Sequence, residues 1–158
     1  MPRLPATLLA LMIATAAPLP APAADTPEPA PAKADKLAPA RALIAQARWR
    51  DAIAALQQLN DRGSADWNNL MGYSHRKAAT PDLAAAESYY DAALRIDPQH
   101  RGALEYSGEL YLMKNELPRA EERLATLEKT CRNCEEAKDL RAAVVAYKAN
   151  GNRYVARP

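Results

Sequence analysis

The stretch W-R-D-A-I-A-A-L-Q-Q-L, residues 49–59, decides the fold, because two later stretches repeat it in phase. L-A-A-A-E-S-Y-Y-D-A-A occupies residues 83–93 and L-P-R-A-E-E-R-L-A-T-L residues 117–127, each displaced by 34 without a gap. Trp49, Leu83 and Leu117 coincide, as do Ala52, Ala86 and Ala120, then Leu56, Tyr90 and Leu124, then Leu59, Ala93 and Leu127. Within each stretch these positions fall at i, i+3, i+7 and i+10, which is one face of a helix. An alanine followed by larger apolar side chains lets two helices cross closely and then interlock.

A second helix precedes each of the later two. Residues 66–77 place Trp67, Leu70, Met71 and Ser74 on one face, and residues 100–114 do the same with Leu104, Ser107, Gly108 and Tyr111. Thr80 is read as an N-cap with Pro81 at the first helical position, and D-P-Q-H at 97–100 separates two helices. A last helix over 133–148 carries Ala137, Leu140, Val144 and Tyr147 on one stripe, with Asn133 as its N-cap and Glu136 completing a capping box. The pattern predicts an all-α, right-handed solenoid: units at about 35–60, 66–97 and 100–129, then a capping helix at 133–148. Each hairpin is too small to bury its own apolar face, so stability comes from stacking.

Composition agrees. The 158 residues contain seven Tyr, two Trp, no Phe and only five Gly, so alanine supplies much of the apolar filling and favours helix. Of thirteen prolines, nine lie in the first 40 residues, outside the periodic region. Net charge is +2, which gives no electrostatic case for a nucleic acid or an anionic membrane as partner.

The N-terminus reads as an export signal over residues 1–24: Arg3, the apolar run L-L-A-L-M-I-A at 8–14, then A-P-A at 21–23 before a cleavage point. The run is too short to span a bilayer, so no integral span is expected after cleavage. Residues 25–34, rich in proline and alanine, read as a disordered leader, and residues 149–158 as a flexible tail. The expected location is the periplasm or the exterior.

Cys131 and Cys134 are the only cysteines. In an oxidising compartment the favoured reading of C-R-N-C is a disulfide that tightens the turn before the last helix. Two alternatives stay open: a thiol-exchanging pair, since a helix N-terminus lowers a thiol's pKa, and a metal site completed by other residues. Haem attachment would need His where Glu135 stands. His75 reads as a hydrogen-bonded histidine between helices and His100 as exposed at a helix start. No Ser-His-Asp order, phosphate-binding glycine loop or H-E-x-x-H occurs. The chain is therefore read as having no catalytic residues, cofactor or resident metal.

The 34-residue period, with Gly72, Ala86, Tyr90, Ala93 and Pro98 in one unit and Gly108, Tyr111, Leu117, Ala120, Leu124 and Leu127 in the next, resembles the tetratricopeptide repeat family. The first unit fits through Trp49, Ala52 and Leu56, with Ala40 in place of the glycine. The resemblance covers residues 35–148 and implies a groove lined by the leading helix of each unit. By position, that groove takes Arg41 at its edge, Asn69, Tyr73 and Arg76 from the second unit, and Glu105, Glu109 and Leu112 from the third. The family's carboxylate clamp is not met: Leu70 and Glu105 stand where amide and lysine side chains belong. The implied function is a non-enzymatic adaptor that binds a peptide or protein of the cell envelope in this groove. The alternatives are a thiol-redox or metal-handling factor using Cys131 and Cys134, and self-association through the repeats. Residues 104–113 raise one further expectation. Tyr106, Leu110, Tyr111, Leu112 and Met113 are apolar on more than one face, so neighbouring helices or a partner must cover them.

Overall fold

The structure, a computed structural model, describes residues 34–155. The expected export signal lies outside the described residues, as does all of the expected leader except Ala34. Among the described residues there are seven α-helices and no strand: α1 Ala38–Ala45, α2 Trp49–Leu59, α3 Ala65–Lys77, α4 Leu83–Ile96, α5 Arg101–Met113, α6 Leu117–Thr130 and α7 Glu135–Ala149. They pair as hairpins α1–α2, α3–α4 and α5–α6, and α7 closes the stack against α5 and α6. The leading helices also touch in succession, α1 to α3, α3 to α5 and α5 to α7, so they share one side of the array. None of these helices is long and apolar enough to cross a membrane.

The three in-phase alanines Ala52, Ala86 and Ala120 are fully buried, as are Leu56 and Tyr90 at the next shared position. Close packing explains the glycine in the second unit. A Cβ on Gly72 would lie 2.7 Å from Tyr90 Cε1 and 3.1 Å from the Ala86 carbonyl oxygen, so α3 and α4 meet there with no room for a side chain. At Gly108 the neighbour is Leu140 of α7, whose methyl carbons would lie 2.6 Å from an added Cβ. One apolar cluster joins the first two hairpins through Leu37, Ala40, Leu56, Trp67, Leu70 and Met71. A larger one runs from Ala86 and Tyr90 through Leu104, Leu110, Tyr111 and Leu112 to Leu140 and Tyr147. The apolar surplus of α5 is thus mostly covered by its neighbours.

Helix starts differ from the expected ones. Asp82, not Thr80, caps α4, its carboxylate accepting from the Ala85 N–H at 2.9 Å, and Pro81 stays in the connector. Cys134, not Asn133, is the N-cap residue of α7, with no side-chain cap bond, and Glu136 pairs with Arg101 at 3.6 Å instead of closing a capping box. In both cases the chain runs one or two residues further before it turns into helix. Ser64 caps α3 through the Trp67 N–H.

His100 does more than stand exposed. Its Nδ1 accepts from the Ala103 N–H at 3.1 Å, capping α5, so in the neutral ring Nε2 carries the proton and donates to Asp66 Oδ1 at 3.1 Å. His75 stacks on Tyr89, with centroids 5.5 Å apart, where a hydrogen bond was expected.

A charged lattice ties α4, α5 and α6 together. Glu87 accepts from Lys114 Nζ at 2.6 Å and pairs with Arg119 Nη1 at 2.8 Å. Arg119 lies 3.8 Å over the Tyr111 ring. Burial pushes the Glu87 pKa up, but its bonds to Lys114 and Arg119 outweigh this and hold it below the usual 4.5. A depressed folded pKa means the unfolded chain binds the proton more readily. The contribution to stability is therefore complete above pH 4.5 and lost as pH falls through the folded value. Thermal unfolding followed across pH 6 to 3 should show Tm falling with acidity, and Glu87→Gln should flatten part of that fall; an unchanged slope would dismiss the lattice as a stabilising element.

Candidate functional site

On the side formed by the leading helices lies an open pocket of about 440 Å³, lined by Tyr73, Arg76, Lys77, Glu105, Tyr106, Glu109, Asp139 and Tyr154. It draws on α3, α5, α7 and the segment after α7. In α3 the spacing of Tyr73, Arg76 and Lys77 sets them one turn apart on neighbouring rows, and in α5 Glu105 and Glu109 are likewise separated by one turn.

Arg76 organises this wall. Its side chain is 3% exposed, and Nη1 meets Glu109 Oε2 at 2.7 Å. The guanidinium also lies 5.5 Å from the Tyr73 ring centre and 5.6 Å from that of Tyr106. The two rings are tilted at 4.6 Å, and Trp49 meets Tyr73 edge-on at 5.8 Å. Beneath them Tyr90 is fully buried. Among the described residues its hydroxyl and Arg76 Nε have no hydrogen-bond partner of good geometry, but the guanidinium lies near enough to the Tyr90 hydroxyl to counter part of the upward push of burial on it. Burial raises the pKa of Tyr73 and of Tyr106 as well, and Glu105 adds to the rise at Tyr106, so both phenols stay neutral donors.

Of the groove residues expected from sequence, Tyr73, Arg76, Glu105 and Glu109 do come together here. Arg76 is a wall residue committed to Glu109, not a cation offered to a ligand. Leu112 is fully buried in the core and lines no groove, because α5 is covered by α4, α6 and α7 as well as facing the pocket. Asn69 is 7% exposed and set under Gly102, where an added Cβ would lie 2.9 Å from its amide nitrogen. Arg41 stands apart, reaching Asp35 at 3.5 Å and Asp66 at 3.7 Å. The sequence reading missed Lys77, Tyr106, Asp139 and Tyr154. For Tyr106 the apolar surplus of α5 was the signal; for Asp139 and Tyr154 the period ends before them and offers none.

The Cys131 and Cys134 sulfurs are 2.08 Å apart, within bonding distance, and bridge the end of α6 to the start of α7. The pair is half-buried against the larger apolar cluster. Glu136 is the third potential ligand in this turn, but sulfurs bonded to each other present no thiolate to a metal.

A tetratricopeptide repeat family model matches residues 79–144, the stretch that contains α4, α5, α6 and most of α7. Over that stretch the chain is similar to the tetratricopeptide repeat family. No curated protein matches the chain. The in-phase alanines, the glycine at the α3–α4 crossing and the hairpin stacking are those of a tetratricopeptide repeat solenoid. Such repeats suggest a protein–protein interaction scaffold.

Proposed function

We propose that the protein is an exported, non-enzymatic adaptor that holds a peptide or protein segment of the cell envelope in the pocket formed by Tyr73, Lys77, Glu105, Tyr106 and Asp139. The observation that carries this reading is the wall itself: two tyrosine rings at 4.6 Å fixed around a buried Arg76–Glu109 pair, on the leading-helix side of a repeat scaffold. Half-buried tyrosines with neutral hydroxyls offer apolar area and a hydrogen-bonding tip together, which suits a protein surface. The proposed location, periplasm or exterior, draws on the charged, apolar and small-residue order of the first 24 residues. A disulfide at Cys131–Cys134 fits an oxidising compartment.

The test is cross-linked capture from the cell envelope with the wild-type protein and with a Tyr73→Ala, Lys77→Glu variant. These two side chains line the pocket without belonging to the buried ion pair. A stoichiometric partner retained by the wild type and reduced about ten-fold in the variant is expected, a loss of about 1.4 kcal/mol. Equal retention by a variant of unchanged helicity would remove the pocket from the interaction.

A further inference from the structure

From Asn150 to Val155 the chain turns back at the end of α7. The Asn150 N–H bonds the Ala146 carbonyl at 3.0 Å, the Gly151 N–H that of Lys148 at 3.2 Å and the Asn152 N–H that of Tyr147 at 3.0 Å. Gly151 and Asn152 both take left-handed backbone, with φ of 67° and 61°. Two successive left-handed residues reverse the chain at the end of α7, and glycine and asparagine are the residue types that tolerate this. The Asn150 amide also donates to the Arg153 carbonyl at 3.4 Å, within the same turn.

The reversal delivers Tyr154 into the wall of the pocket, beside Tyr73, Arg76 and Tyr106, and packs it against the larger apolar cluster. The pocket holds three carboxylates, Glu105, Glu109 and Asp139, against two cations, Arg76 and Lys77. In the sequence Tyr154 is flanked by arginine on both sides, Arg153 directly before it and Arg157 three residues after. An aromatic residue between basic ones is thus the chemistry that this acidic, tyrosine-lined pocket matches, and the chain carries such a segment within its reach.

We propose that the pocket recognises a short segment in which a tyrosine is flanked by arginines, and that the chain's own Arg153–Val155, through Tyr154 in the wall, fills part of that position in the free protein as a resident pseudo-ligand. This rests on the reading of the pocket as a binding groove and adds the kind of partner and a threshold. A tethered ligand competes at an effective concentration of roughly millimolar, so a weak contact suffices to keep Tyr154 seated in the wall and that part of the groove filled. A partner then binds with an affinity reduced by the fraction of open groove.

The test is anisotropy titration of a labelled nonapeptide, N-G-N-R-Y-V-A-R-P (residues 150–158), against the full-length chain and its variants. With Tyr154→Ala that part of the groove is freed, and the peptide should bind about ten-fold more tightly than to the wild type. Tyr154→Phe keeps the ring in place and should behave as the wild type, which separates occupancy from a general loosening of the fold. A peptide with alanine for tyrosine, or glutamate for both arginines, should not bind. Binding to Tyr154→Ala that is no tighter than to the wild type overturns the inference. Peptide binding that survives the addition of Tyr73→Ala also overturns it, because the peptide would then dock elsewhere. The adaptor reading fails separately, on capture that ignores Tyr73 and Lys77. If capture depends on them while Tyr154→Ala gains no affinity for the peptide, only the resident tail falls.

Discussion

Replacing Arg76 with alanine should destabilise the protein by about 3–5 kcal/mol, because the largely buried Glu109 would lose the guanidinium that meets it at 2.7 Å. Only 3% of the Arg76 side chain and 10% of the Glu109 side chain reach solvent, so water cannot take over the missing role. The loss also removes the cation from the Tyr73 and Tyr106 rings. The decisive comparison is with Arg76→Met, Glu109→Met. Two apolar side chains of similar volume exchange an ion pair for packing, a change that is often neutral or stabilising. Urea unfolding of both variants therefore separates two roles. A deep loss in the single variant with recovery in the double assigns the cost to the uncompensated charge. An equal loss in both would mean that the pair's geometry itself holds α3 to α5.

Tyr90→Ala should cost a similar amount, about 3–5 kcal/mol, and lower Tm by on the order of 10–20 °C. Tyr90 is fully buried, and its ring fills the notch opposite Gly72, with the ring edge where a Cβ would otherwise sit. Removing it leaves a void that the two helices cannot close, since the Ala86 carbonyl already stands against Gly72. The same geometry fixes the sign of the partner change: Gly72→Ala in the otherwise native chain drives the ring away despite alanine's better helix propensity. Combined with Tyr90→Ala, the extra methyl occupies part of the void and should recover some of the loss. A strictly additive double variant, measured by the same urea titrations, would show that the notch is not shared.

The repeats could be read directly because their information is local and recurs. The alanines at 52, 86 and 120 each face a helix crossing, and all three are fully buried. Helix starts were read less well. Thr80 lies two residues before Asp82 and Asn133 one before Cys134, and the choice within each pair depends on where the preceding connector lets the chain turn. Leu112 was misplaced for a different reason. Transfer by position treats every unit as having one groove side, but α5 is enclosed by α4, α6 and α7, and its share of open surface is correspondingly small. The charge of Arg76 was visible, but its burial was not, because that requires knowing that Glu109 lies across from it. Tyr154 had no signal of its own: it follows the last periodic residue and reaches the pocket only through the left-handed turn at Gly151 and Asn152.

The bond between His100 and Asp66 joins residues one full period apart. It is therefore a ruler for the step from one unit to the next, written in side chains and independent of the loops between them. Because the two residues occupy the same position of successive units, a copied 34-residue block would bring only one of them, so the mark belongs to this one step and an array grown by duplication would not renew it.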